Sequence, residues 1–185
     1  MTTRSRTRLV ARPLAGLAIM AGTLGAASAV TSPAQAAPAE NGRAAQAVVQ
    51  TDVLSADAAL TIADAAMKEA VKGKQRVTVV IVDRSGATRL VLKGDGAGPQ
   101  TEESARRKAF TAVSFGRTTS ELGKSVTGEG PTIADIPGTL FLGGGVPVAS
   151  GGVLVAGIGV GGAPSGDIDE AIAQAGLKAV TGRLR

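Results

Sequence analysis

The 185 residues contain no cysteine, no histidine, no tyrosine and no tryptophan, and only three phenylalanines. Without cysteine there are no disulfides, so the fold must be held by packing or by oligomerisation. Without histidine and cysteine, a Ser-His-Asp triad, a thiol nucleophile and a His-based metal centre are all excluded. These absences argue against an enzyme and for a binding protein. The lack of tryptophan and tyrosine, together with the lack of a basic stripe, removes the support for a nucleic-acid partner.

The basic character of the whole chain is concentrated at its start. Residues 1–36 read as a secretory signal peptide. Arg4, Arg6, Arg8 and Arg12 stand without an acidic residue, an apolar run extends from Leu14 to Val30, and Ala34-Gln35-Ala36 supplies a small-x-small cleavage pattern. The run is too rich in Ala and Gly to match the roughly 20 strongly apolar residues of a membrane span. The expected product is secreted and extracellular, beginning near Ala37. Residues 37–185 carry sixteen basic and fifteen acidic residues, a net charge of +1.

Residues 37–52 are small and polar without a sustained period and read as a flexible N-terminal tail. Residues 53–185 are expected to form one domain. Ser55 caps a helix over 55–72, with Leu60, Ala63, Met67, Ala70 and Val71 as its buried stripe. Residues 77–83 (VTVVIVD) and 87–93 (ATRLVLK) form a hairpin around Arg84-Ser85-Gly86. Thr101 caps a second helix that ends at Gly116, with Ala105, Ala109, Ala112 and Val113 as its small apolar face. Thr118 and Glu121 spell a capping box for a short helix near 119–126. Pro131 and Pro137 break the segment 127–142, two more strands flank Ser150-Gly151-Gly152, and Ser165 caps a closing helix. Hairpins interleaved with helices predict an α+β domain with an antiparallel sheet.

Nine of the twenty residues from Gly143 to Gly162 are glycine. Gly123-Lys124-Ser125 imitates the end of a phosphate-binding loop, but the required earlier glycine is Thr118, and no strand precedes it. A linker is excluded because Val153, Leu154, Val155, Ile158 and Val160 alternate with the glycines as a strand does. Val153, Val155, Gly157 and Gly159 then share one face, and the missing side chains make a trough for a packed helix or for a ligand.

Five pieces together resemble the GlcG/HbpS family of DUF336 proteins: LSADAALTIADAAMKEA, VTVVIVDRSGATRLVLKGDGAGP, ARRKAFTAVSFGRTTSEL, FLGGGVPV and GVLVAGIGVGGAPSGDIDEAIAQAGL. The resemblance spans about residues 53–180. It implies an antiparallel sheet of about five strands flanked by helices in a profilin-like arrangement, and a symmetric homo-oligomer, often an octamer. The exported branch of the family implies a secreted heme-binding protein that partners a membrane sensor kinase in redox or heme sensing. Other branches imply the alternative of an enzyme or binder acting on a small organic acid, or of heme degradation. For that alternative the candidates are Asp83, Asp95 and Arg89, although the two aspartates also suit turn capping.

Heme iron is ordinarily held by His, Cys, Met or Tyr. Three of these are missing, and the only methionine after residue 36 is Met67, which its place on the helix stripe assigns to the core. The remaining candidate heme contacts are Thr111, Thr118, Thr119 and Lys108 near the iron, Arg106, Arg107 and Arg117 for the propionates, and Gly157 and Gly159 in the trough. They imply weak axial ligation, with affinity coming from apolar contact and propionate pairing, at a site shared between subunits.

Overall fold

Ser55 opens the first helix as its sequence suggests: its hydroxyl accepts from Ala58 N at 3.2 Å, and α1 runs Ala56–Lys72. This computed structural model describes residues 47–127 and 130–184. The expected signal peptide, its expected cleavage point and the first part of the expected tail lie outside the described residues.

Four strands follow in two hairpins: β1 (Thr78–Asp83) with β2 (Thr88–Lys93), and β3 (Gly145–Ser150) with β4 (Val153–Gly161). The two hairpins join through antiparallel pairing of β1 with β4, giving the order β2-β1-β4-β3. The architecture is the expected α+β one, with four strands among the described residues where the family resemblance implied about five. β1 is buried over its whole apolar length, as a central strand covered on both faces requires.

Helix α2 (Gln100–Phe115) covers one face of the sheet, and α1 with α4 (Gly166–Lys178) covers the other. The short α3 (Thr119–Ser125) follows α2. Gly123-Lys124-Ser125 ends that helix. α2 is not capped by Thr101. Pro99 occupies the cap position, and Thr101 lies buried in the first turn, donating to Gly98 O and sharing a 2.7 Å bond with the Thr78 hydroxyl. Gly116 ends α2 in the left-handed conformation, at φ 65°, which suits glycine. Thr118 caps α3 through a 3.4 Å bond from Glu121 N.

The buried stripe of α1 differs from the expected one. Ala58, Ala59, Ile62, Ala63, Ala66 and Ala70 face the core, whereas Leu60 and Val71 are 60% and 67% exposed. Both sets satisfy three- and four-residue spacing. The alanine set is chosen because α1 lies close against α4: a Cβ on Gly176 would meet Ile62 O at 2.8 Å. Small side chains permit that approach, and the bulkier ones are turned out.

The glycine-rich strand also departs from simple alternation. The β3–β4 register shifts between Val148 and Ala149, so that Val155 is an unpaired extra residue on β4. This bulge puts Val155 into the core cluster under α1 and α4, while Leu154 reaches Gly116 at the end of α2. Val155 therefore does not share the face of Gly157 and Gly159, because one inserted residue reverses the alternation that precedes it.

Candidate functional site

The trough over β4 is filled by α2. A Cβ on Gly157 would strike Ala109 O, and one on Gly159 would strike Ala105 O. The absent side chains thus let the helix backbone settle onto the strand, with Ala105 and Ala109 as the matching small residues. The second glycine cluster does similar work at the sheet's end. Gly143 lies backbone-to-backbone against Gly166 at the start of α4. Gly145 N donates to the Thr119 hydroxyl at 2.8 Å, and that hydroxyl donates to Leu142 O at 2.7 Å. Glu170 receives Ser120 Oγ at 2.6 Å and Gly144 N at 3.3 Å.

Lys108 lies in this region. It stands on the small face of α2, 3% exposed. Its ammonium donates to Asp169 Oδ2 at 2.7 Å and to Val160 O at 3.0 Å. Asp169 accepts Ala163 N on its other oxygen at 3.0 Å. Burial pushes the Asp169 carboxyl above its ordinary range, with the Lys108 ammonium acting against that rise. The pair forms the floor of an open cleft of about 640 Å³, walled by Ser104, Ser120, Phe141 and the Gly162–Gly166 loop. Asp169 and Glu170, near the start of α4, carry this network and were not among the candidate site residues. The usable sign was Lys108 itself: a lysine among Ala105, Ala109 and Ala112 is buried, and a buried lysine needs an acid.

The other candidate residues are scattered and mostly engaged. Thr111 donates to Arg107 O at 2.7 Å and accepts Leu140 N at 2.8 Å. Arg106 makes two bonds to Glu103, at 2.7 and 2.8 Å, which hold the glutamate carboxyl below its ordinary range. Arg117 lies 3.7 Å from Glu121, with both side chains half exposed. Arg107 donates to Thr139 O at 2.6 Å and keeps a buried Nε without a partner among the described residues. Asp83 is occupied by its own turn, receiving Ser85 N, Ser85 Oγ and Ala87 N at 2.8, 2.6 and 3.1 Å.

A second, apolar groove lies on the opposite face, between α1 and β2. Leu60 and Val71 on the outward side of α1, with Met67, which packs against the core, lie across from Leu90 and Leu92, enclosing about 430 Å³. Met67 is half-buried in its wall, its sulfur beside Gly94.

Comparison with known proteins settles the family. The model described as "Haem degrading protein HbpS-like" matches residues 54–178. The chain belongs to the HbpS-like family. A crystal structure of HbpS is 54% identical to it, covering 72% of this chain and 94% of that one, with a TM-score of 0.70. A double mutant of Streptomyces reticuli HbpS is 51% identical over 80% of this chain and 99% of that one, also with a TM-score of 0.70. A complex of PduOC with heme is 29% identical, covering 69% and 95% of the two chains with a TM-score of 0.65. No curated protein matched the chain. HbpS-like membership and the α+β fold were thus both legible in the five sequence pieces.

Proposed function

We propose that this protein binds heme, as a secreted accessory to heme or redox sensing. The observation that carries this reading is the HbpS-like match across residues 54–178, and the structural likeness to a protein crystallised as a heme complex supports it. Export follows from the Arg-rich, apolar start and Ala34-Gln35-Ala36. Assembly of several copies fits a chain that leaves Leu60, Val71 and Val91 uncovered, and a membrane sensor kinase is the partner such an accessory requires. The acid-binding alternative is less favoured, because the Asp83 carboxylate is already spent on three turn donors.

The residues around α2 fit heme poorly as iron ligands. Lys108 is tied to Asp169 and Val160, and Thr111 and Thr119 each both donate and accept inside the fold. What that set retains is cationic: Arg117 and Arg106 at the surface in exposed ion pairs, which are individually weak. These can receive propionate carboxylates. When bound, heme supplies a redox-active iron, and the chain supplies apolar contact and carboxylate pairing. Titration of the protein with hemin tests the reading: a saturable Soret shift is expected, and its absence overturns it.

A further inference from the structure

We propose that the outward side of α1 packs antiparallel against the same side of a second copy, about a two-fold axis; this rests on the reading above that several copies assemble. Leu60 and Val71 are 60% and 67% exposed. Helical spacing puts them on one side of α1, with Asp64 and Lys68 between them. Leu90 and Leu92 at the sheet edge complete an apolar groove of about 430 Å³. Among the described residues, Asp64 and Lys68 are the only charged side chains that line it. Large apolar side chains grouped in water mark a surface that another molecule covers.

What covers it follows from the order of the residues. Along the helix this side runs apolar, acidic, basic, apolar: Leu60, Asp64, Lys68, Val71. The outer pair and the inner pair are both centred on the turn of Ala65 and Ala66. A two-fold axis through that turn brings Leu60 against the partner's Val71 and Asp64 against the partner's Lys68. Each contact then occurs twice, as an isologous interface requires. A parallel pairing would instead set Asp64 against the partner's Asp64 and Lys68 against the partner's Lys68. Charges along a helix seam select the orientation in this way. Within one copy Lys68 pairs with Asp64 at 2.7 Å, with side chains 75% and 62% exposed. Both keep room for a second partner, and across the axis the two pairs close into a ring of alternating sign. Such a network contributes more than the isolated surface pair. The helix ends agree: Asp57 in the first turn comes to the end that bears Lys72 and Lys74. Met67, half-buried against the core in the groove wall, offers the incoming side chain an adaptable surface. The two apolar sides of α1 thus divide the work: the alanines pack this copy's core, and Leu60 and Val71 pack the next copy.

The test is the mass of the protein in solution, by light scattering, for wild type, Asp64→Lys, Lys68→Asp and the exchanged double variant carrying both changes. Both side chains are largely exposed, so every variant should fold with the circular dichroism of wild type. Each single variant sets like charges against each other across the axis, and the mass should fall to about half of wild type or less. The double variant restores each opposite-charge contact and should recover the wild-type mass. An equimolar mixture of the two single variants should recover it too, because one supplies only lysines and the other only aspartates. A wild-type monomer at micromolar concentration overturns this interface and the assembly reading together. An assembled wild type whose single variants keep its mass overturns the α1 pairing alone and leaves assembly to another surface. Single variants that dissociate, with a double variant and a mixture that stay dissociated, overturn the antiparallel two-fold arrangement.

Discussion

On the face of the sheet under α2, β4 presents Gly157, Gly159 and Gly161. On the face under α1 and α4 the same strand presents Ile158 and Val160, both fully buried. The first face stabilises by close approach. Helix backbone rests on strand backbone, and the side chains between them are Val80, Val82, Ala105, Ala109 and Val113. The second stabilises by volume, with Ile62, Ile81, Ile158 and Ile172 filling a deeper layer. One strand therefore obeys two rules at alternate residues: one set of positions has no room for a methyl group, and the other cannot lose one. The two layers meet at Lys108 and Asp169, where a side chain from α2 reaches one from α4.

The largest expected effect tests that meeting point. Asp169→Ala leaves the Lys108 ammonium buried and unpaired, and breaking a buried pair in this way costs about 3–5 kcal/mol. Denaturant unfolding should show the loss, and the double variant Lys108→Met with Asp169→Leu should recover most of it, since a well-packed apolar pair of similar volume is often neutral. A double variant no better than the single one would mean that the two layers need the charge itself. Next, Ile158→Ala removes volume from the α1–α4 face. The cavity should cost about 3 kcal/mol.

Much of this arrangement is legible in the residues. The caps at Ser55, Thr118 and Ser165, the β-branched run of β1 and the alanines of α2 fix their elements, because each uses a local signal. What could not be read is what depends on pairs distant in the chain. The choice between the two stripes of α1 turns on Gly176, more than a hundred residues away, and the strand order turns on the β1–β4 pairing. The bulge at Val155 is set by the β3 register and not by any residue of β4 alone. Similarly, Lys108 could be read as a surface or ligand-facing cation until Asp169 appeared beside it. Leu60 and Val71 were read into the core because their spacing fits a stripe that the fold turns outward, whereas Met67 on the same stripe stays half-buried against the core.

The comparison of faces is sharpened by Gly157→Val. β-propensity favours valine at a strand position by up to about 1 kcal/mol. The new side chain would meet Ala109 O, a backbone atom that cannot rotate away, and overpacking of that kind costs about 1–3 kcal/mol. A net loss of about 2 kcal/mol is expected by thermal or denaturant unfolding. Because the space belongs to α2, the loss should be the same with and without hemin. Wild-type stability in this variant would show that the α2 face is not governed by close approach.

The smallest effect is expected at the β1–β2 turn. The Asp83 carboxylate is held below its ordinary value of 3.8, chiefly by the Ser85 hydroxyl, with the Ala87 and Ser85 amides and Arg89 helping. A carboxyl whose folded value is lowered stabilises the fold above the unfolded value and loses that contribution as pH falls through the folded one. Asp83→Asn should therefore lower the melting temperature slightly at pH 7, and the gap from wild type should close in acid, below pH 3.8. The turn joins β1 to β2 and is tied to β4, because Asp83 pairs with Ala156 beside Gly157 and Arg84 donates to Leu154 O at 3.1 Å. Combined with Asp169→Ala, at the other end of the sheet, its effect should simply add, since distant sites without shared partners are additive within about 0.3–0.5 kcal/mol. Combined with Gly157→Val it should not, since Val82, next to Asp83, is the ladder partner of Gly157; strict additivity there would show that the turn does not set the seating of the glycine face.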